Sequence, residues 1–145
     1  VTQNQSGKLL LRIVIPCLPF RELGTNSRDG RLHWRERSDL VGEARMQVLP
    51  IYNLVRQTMR QPLPIPVPVV EHWTLYVQDL KQLDWVNAVA ALKPWEDMLR
   101  CSSLSNPGGV GILRDDNPKW VRGGSVQYLV DVERAPETVL EVYEA

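Results

Sequence analysis

With 145 residues, 43% of them hydrophobic and 23% charged, the chain has the size and composition of one globular domain with a real core. Wholesale disorder, collagen-like repeats and coiled-coil rods are excluded by that composition. Seventeen basic and seventeen acidic residues balance to a formal net charge of zero, so any affinity for nucleic acid has to come from a local patch.

No apolar run approaches the roughly 20 residues of a membrane span, and the opening VTQNQSGKLLLRIVIP lacks the zones of a secretory leader. A cytoplasmic protein without membrane contact is expected. Cys17 and Cys101 are far apart and belong to no CxxC or Cys/His array. They read as buried or half-buried thiols, not as a disulfide framework or a zinc site.

In chain order, residues 1–7 read as a flexible N-terminus, and KLLLRIVI (Lys8 to Ile15) as a strand stopped by Pro16. The following PCLPFRELGTNSRDGRLHW, dense in Pro, Gly, Asn and Asp, is an expected surface loop. It opens a basic stretch of Arg21, Arg28, Arg31, Arg35, Arg37 and Arg45. From Arg35 to Arg60, Leu40, Val41, Ala44, Val48, Ile51, Tyr52, Val55 and Met59 recur at steps of three and four, which predicts an amphipathic helix kinked or divided at Pro50. After the proline-spaced QPLPIPVP, residues Val69 to Gln78 read as the most buried strand.

A second helix is expected from about Trp85 to Arg100, with Trp85, Ala88, Val89, Leu92, Trp95 and Leu99 as its apolar stripe and Pro94 as a kink or restart. SSLSNPGGVG is a turn region, and Val126 to Glu133 reads as the final strand. Residues 134–145 complete an acidic tail that carries Glu137, Glu141 and Glu144. The order describes one domain over 1–145 of α/β (α+β) class, a small mixed sheet of three to four strands packed against two main helices.

At roughly 100° per residue, Val86, Ala90, Lys93 and Asp97 share a stripe of the second helix away from its apolar face, and Lys93 and Asp97 stand at i,i+4. Asp115 and Asp116 follow a glycine-rich turn. Two carboxylates so placed suit a hard cation such as Mg²⁺, which takes one or two protein oxygens and can activate water beside a phosphate. Asp84 precedes the second helix. Structural uses stay open for each: Asp84 suits a helix N-cap, DDNP an ordinary turn, and Lys93 with Asp97 a solvated ion pair. Nothing places His33 or His72 within reach of a Ser or Cys nucleophile, and NPGGVG lacks the Walker spacing.

DWVN at Asp84 to Asn87, LKPWEDML at Leu92 to Leu99 and ILRDDNPKWV at Ile112 to Val121 stand in an order that resembles the RusA-like family of Holliday junction resolvases. Members show Asp-x-Asp-Asn at the start of a helix, a Lys and an Asp further along it, then a loop and an Asp-Asp pair. The N-terminal TNSRDGRLHWRERSDLVGEAR is similar to the family's Asn/Arg-rich loop. The likeness runs from about Leu9 to Glu133.

The resemblance implies a homodimer that binds branched DNA and cuts it with Mg²⁺, or Mn²⁺ in its place. Position by position, Asp84 matches the first metal ligand and a catalytic residue, Asp116 with Asp115 beside it the last ligands, and Lys93 the catalytic lysine. Asp97 matches an acidic position on the same helix. The departure is Val86, which stands where the second helix Asp of the family belongs and has no oxygen to offer. Asn87, Asp97 or Asp79 are the candidates to substitute. Arg28, Arg31, Arg35 and Arg37 are the expected phosphate contacts, and Trp34 is either a stacking platform for a base or a core anchor of the first helix. A member that binds branched DNA without cutting it is the alternative, and the acidic tail also suits a protein-interaction module.

Overall fold

The chain folds as β1 (Leu9–Ile15), a short 3₁₀ turn (Arg21–Leu23), α1 (Trp34–Thr58), β2 (Val69–Val77), α2 (Trp85–Leu99), β3 (Val121–Val130) and β4 (Glu137–Glu144). The computed structural model describes residues 7–24, 34–79 and 85–145; the side chains of residues 85 and 86 fall outside that description. Asp84, Arg28 and Arg31, together with residues 1–6, also lie outside the described residues. No helix among the described residues is long and apolar enough to cross a membrane.

One four-stranded mixed sheet has the order β1-β4-β2-β3. β4 runs antiparallel to both β1 and β2, whereas β2 and β3 are parallel and joined through α2. β2 is therefore an interior strand, and all nine of its residues are buried or intermediate, Trp73, Thr74 and Leu75 being buried in succession. Strand pleating sends Leu11, Ile13 and Ile15 of β1, Thr138, Leu140 and Val142 of β4, and Trp73, Leu75 and Val77 of β2 to one face. Ala44, Val48 and Tyr52 of α1 and Ala88, Ala91, Leu92, Trp95, Met98 and Leu99 of α2 close the same core.

The two helices are tied to each other inside that core. Tyr52 donates its hydroxyl to the Trp95 carbonyl at 2.9 Å, and the Trp95 indole donates to the Ala44 carbonyl at 3.0 Å. Both rings are fully buried, so Tyr52→Phe is expected to cost about 1–2 kcal/mol, read as a lower urea midpoint at unchanged slope.

Four sequence expectations need correction. Residues 134–145 are not a tail: β4 lies inside the sheet, with Thr138, Leu140 and Val142 inward and Glu137 and Glu141 on the other side. The charges hid a period-two strand whose Glu137 and Glu141 leave the core on the opposite face. β3 starts at Val121 and ends at Val130, earlier than the Val126 to Glu133 reading, because its opening includes Gly123 and Gly124, which carry no strand signature. On α2, Ala91 and Met98 join the buried stripe while Val89, at its margin, is 43% exposed. Neither Pro50 nor Pro94 divides its helix; each sits within an unbroken α-helical span.

Candidate functional site

The C-terminal end of α2 is stitched to the loop that follows it. Val110 donates to Met98, Gly111 to Arg100, and Ile112 and Leu113 both to Leu99, at 2.8–3.0 Å. These bonds satisfy carbonyls that a helix end leaves free. A Cβ at Gly109 would stand 2.3 Å from the Arg100 carbonyl oxygen, so this approach needs glycine. Arg45 of α1 holds the helix end through Met98 Sδ (3.0 Å) and the loop through Asn106 Oδ1 (3.1 Å) and the Pro107 carbonyl (2.6 Å). That structural role withdraws Arg45 from the basic stretch read in sequence.

The stitching delivers Asp115 and Asp116 beside α2. Lys93 Nζ lies 3.0 Å from Asp116 Oδ2 and 3.1 Å from Asp97 Oδ1, which joins the i,i+4 pair to the acidic turn. Arg100, four-fifths buried, contacts Asp97, Asp116 at 3.1 Å and Asp115 at 3.6 Å. Two cations therefore bind three carboxylates into one network. The Arg100 side was not legible because two of its three partners come from the loop, although its i,i+3 spacing to Asp97 was the available signal.

The turn reading of DDNP also holds. Asp116 N–H donates to Asp115 Oδ1 at 2.8 Å, Asn117 Nδ2 to Asp115 Oδ2 at 3.2 Å, and Lys119 N–H to Asn117 Oδ1 at 3.0 Å. Turn and cluster are the same residues in two roles. Burial pushes the Asp116 carboxyl up, but the Lys93 hydrogen bond and the Arg100 charge outweigh it and hold the group below its ordinary range. Asp116 is thus ionised wherever the fold is intact near neutral pH.

Asn87 is 6% exposed and packs against Gly24, where an added Cβ would meet its side chain at 2.7–2.8 Å. Of the proposed substitute ligands, Asp97 is the one the structure brings to Lys93. Asp79 lies just past the end of β2 and is exposed. Trp34, Arg35 and Arg37 are exposed at the start of α1, with the Arg35 guanidinium 5.1 Å above the Trp34 ring. At 67% exposure Trp34 is not a core anchor. His72, which nothing in the sequence places within reach of a Ser or Cys nucleophile, has Ser125 Oγ 2.6 Å from its Nδ1, because parallel pairing of β2 with β3 sets the two side by side. The pair lies on the sheet face opposite Trp73 and links two strands there. Cys17 and Cys101 are free and half-buried.

A second acidic feature, Glu71, was missed. It sits on the inward face of β2, 5% exposed, although strand parity with Trp73, Leu75 and Val77 already placed it there. Burial first, then the charges of Glu96 and Asp116, push its carboxyl up to about 8, against a hydrogen bond from Trp73 and the charge of Lys93. Glu96 of α2 is raised for the same kind of reason, burial first and Asp116 next, with Lys93 and Arg100 opposing.

Among the described residues no three His, Cys, Asp or Glu stand close enough to form a ready-made metal cage. Mg²⁺ requires less, one or two carboxylates completed by water and substrate phosphate. The hard oxygen donors fit such an ion, and so does one orphaned atom: Glu71 Oε1 is buried without a hydrogen-bond partner. No known family model and no curated protein matches the sequence.

Proposed function

We propose that this protein is a Mg²⁺-dependent, structure-selective endonuclease that resolves Holliday junctions or other branched DNA, acting in the cytoplasm as a homodimer of the RusA-like type. The observation that carries the reading is the meeting of Lys93 with Asp97 and Asp116, since the resemblance requires a helix lysine and a distant acidic turn to share one site. Mg²⁺ would be held by Asp116, with Asp84 and Asp115 as the further ligands that the resemblance implies, and would supply the charge that activates water and offsets the attacked phosphate. Lys93 lies within reach of the same oxygens and can hold a phosphate or the leaving oxygen. Exposed Trp34, Arg35 and Arg37 supply a stacking surface and phosphate contacts at the mouth of α1.

A second reading, a dimer that binds branched DNA without cutting it, is favoured by one observation. Arg100 contacts Asp97, Asp115 and Asp116, and so meets the need for positive charge that a metal would otherwise fill. Valine at position 86 points the same way.

The two readings share a binding surface. Replacing Arg31 and Arg35 together by Ala is expected to weaken junction binding and to lower the slope of log K against log salt by about two, one unit per lost phosphate contact. An unchanged slope would move the DNA surface elsewhere. The nuclease reading itself is tested by Mg²⁺-dependent cutting of a synthetic four-way junction beside a linear duplex of the same sequence. Preferential nicking of the junction is expected; equal cutting of both substrates would remove structure selectivity.

A further inference from the structure

Reading across the sheet at the level of Glu71 gives Leu11 of β1, Val142 of β4, Glu71 of β2 and Gly124 of β3. Leu11 and Val142 are buried apolar side chains, so a carboxylate stands in a row that otherwise builds the core. A leucine at 71 would serve packing better, because a buried carboxyl with an unsatisfied oxygen costs free energy that a hydrocarbon does not. Conflict of this kind between a residue and its place in the fold marks functional positions.

The surrounding backbone makes room for it. The pairing of β2 with β3 shifts register between Val69 and Glu71, a bulge of the sort found next to active sites. A Cβ on Gly124 would collide with the Glu71 carbonyl at 1.9 Å, so no side chain can fill the space opposite. What results is an open pocket of about 300 Å³ between β2, β3 and α2, lined by Glu71, Trp73, Val89, Glu96 and Gly124 among others. Val89, left exposed on α2, forms part of its wall.

Two carboxylates from different elements therefore line one open pocket, one of them almost wholly buried with Oε1 unpaired. Lys93 and Arg100 make their ion pairs with Asp97, Asp115 and Asp116, and among the described residues neither forms one with Glu71 or Glu96. We infer that Glu71 and Glu96 form a two-carboxylate site for a divalent cation, with Glu71 offering from the sheet an acidic oxygen of the kind that a valine at position 86 lacks. The inference rests on the nuclease reading for the role of the ion, not for its binding. Glu71 and Glu96 give oxygen ligands only, which selects Mg²⁺ or Mn²⁺ over softer metals.

The test is Mn²⁺ binding to DNA-free protein, followed by calorimetry and by loss of the free-ion electron paramagnetic resonance signal. Native protein, Glu71→Gln and Glu96→Gln are compared; Gln keeps the shape, and Glu96 is only half-buried, so the second variant folds even if the first does not. Each substitution is expected to weaken Mn²⁺ at least tenfold. Unchanged binding in both variants would overturn the inference while leaving the nuclease reading with a metal site built elsewhere. Absence of Mn²⁺ binding to the native protein at millimolar concentration would overturn it as well, and junction cleavage would then judge the nuclease reading by itself.

Discussion

Asp116→Asn is expected to lower Mg²⁺-dependent cleavage of a four-way junction by a factor of 100 or more, with junction affinity in chelator changed little. The reason is local. Asp116 is the carboxylate that Lys93 and Arg100 hold ionised, and the acid whose charge reaches both Glu71 and Glu96. The amide keeps the shape of the turn, whose hydrogen bonds use the backbone N–H of residue 116 and the side chain of Asp115. It removes the anionic oxygen that a hard cation takes as ligand, and transition-state charge stabilisation of that kind is worth several kcal/mol. Lys93 would lose its partner at 3.0 Å but keep Asp97, so the helix surface survives. Single-turnover cleavage rates measure the effect; a rate within threefold of native would remove Asp116 from the site.

Stability should fall as pH rises from about 4.5 to about 8 in metal-free buffer, and Glu71 is the cause. A free Glu titrates near about 4.3, whereas burial holds Glu71 protonated in the folded chain up to about 8. Between those values the native state binds a proton that the unfolded state has released, so the sign of the linkage is negative and stability declines with pH. The loss is complete above the folded value and amounts to about 4–5 kcal/mol as an upper bound. Glu71→Gln never carries the charge. Its stability should match the native protein near pH 5 and exceed it at pH 8.5, read from urea midpoints in chelator. Parallel pH curves for the two proteins would contradict the burial argument, and added Mn²⁺ should close the gap by binding the ionised form.

β1, α1, β2 and α2 were legible to within a residue or two, because each has a strong apolar period and punctuation that the core obeys. β4 was not, since Glu137, Glu141 and Glu144 dominate a reading by charge while Thr138, Leu140 and Val142 carry the fold. A strand between two others can afford acidic residues on the face that the helices leave uncovered. The i,i+4 pairing of Lys93 with Asp97 followed from helix geometry alone. Its connection to Asp116 came through the resemblance, because only the stitched loop closes the 23-residue separation. Arg100 and Glu71 were missed for opposite reasons: two of the three partners of Arg100, Asp115 and Asp116, lie on a loop that has no period, whereas Glu71 had a clear parity within VVEHWTLYV and was read as part of a buried strand without asking which face it took.

The direct test of the account is cleavage of a labelled four-way junction in Mg²⁺ or Mn²⁺ by the native protein beside Val86→Asp. A metal-dependent nuclease completed by its own carboxylates predicts cutting by the native protein, with Val86→Asp no more than modestly faster. Binding of the junction without cutting by the native protein, and cutting by Val86→Asp alone, would contradict it and leave a junction-binding dimer that has lost its chemistry.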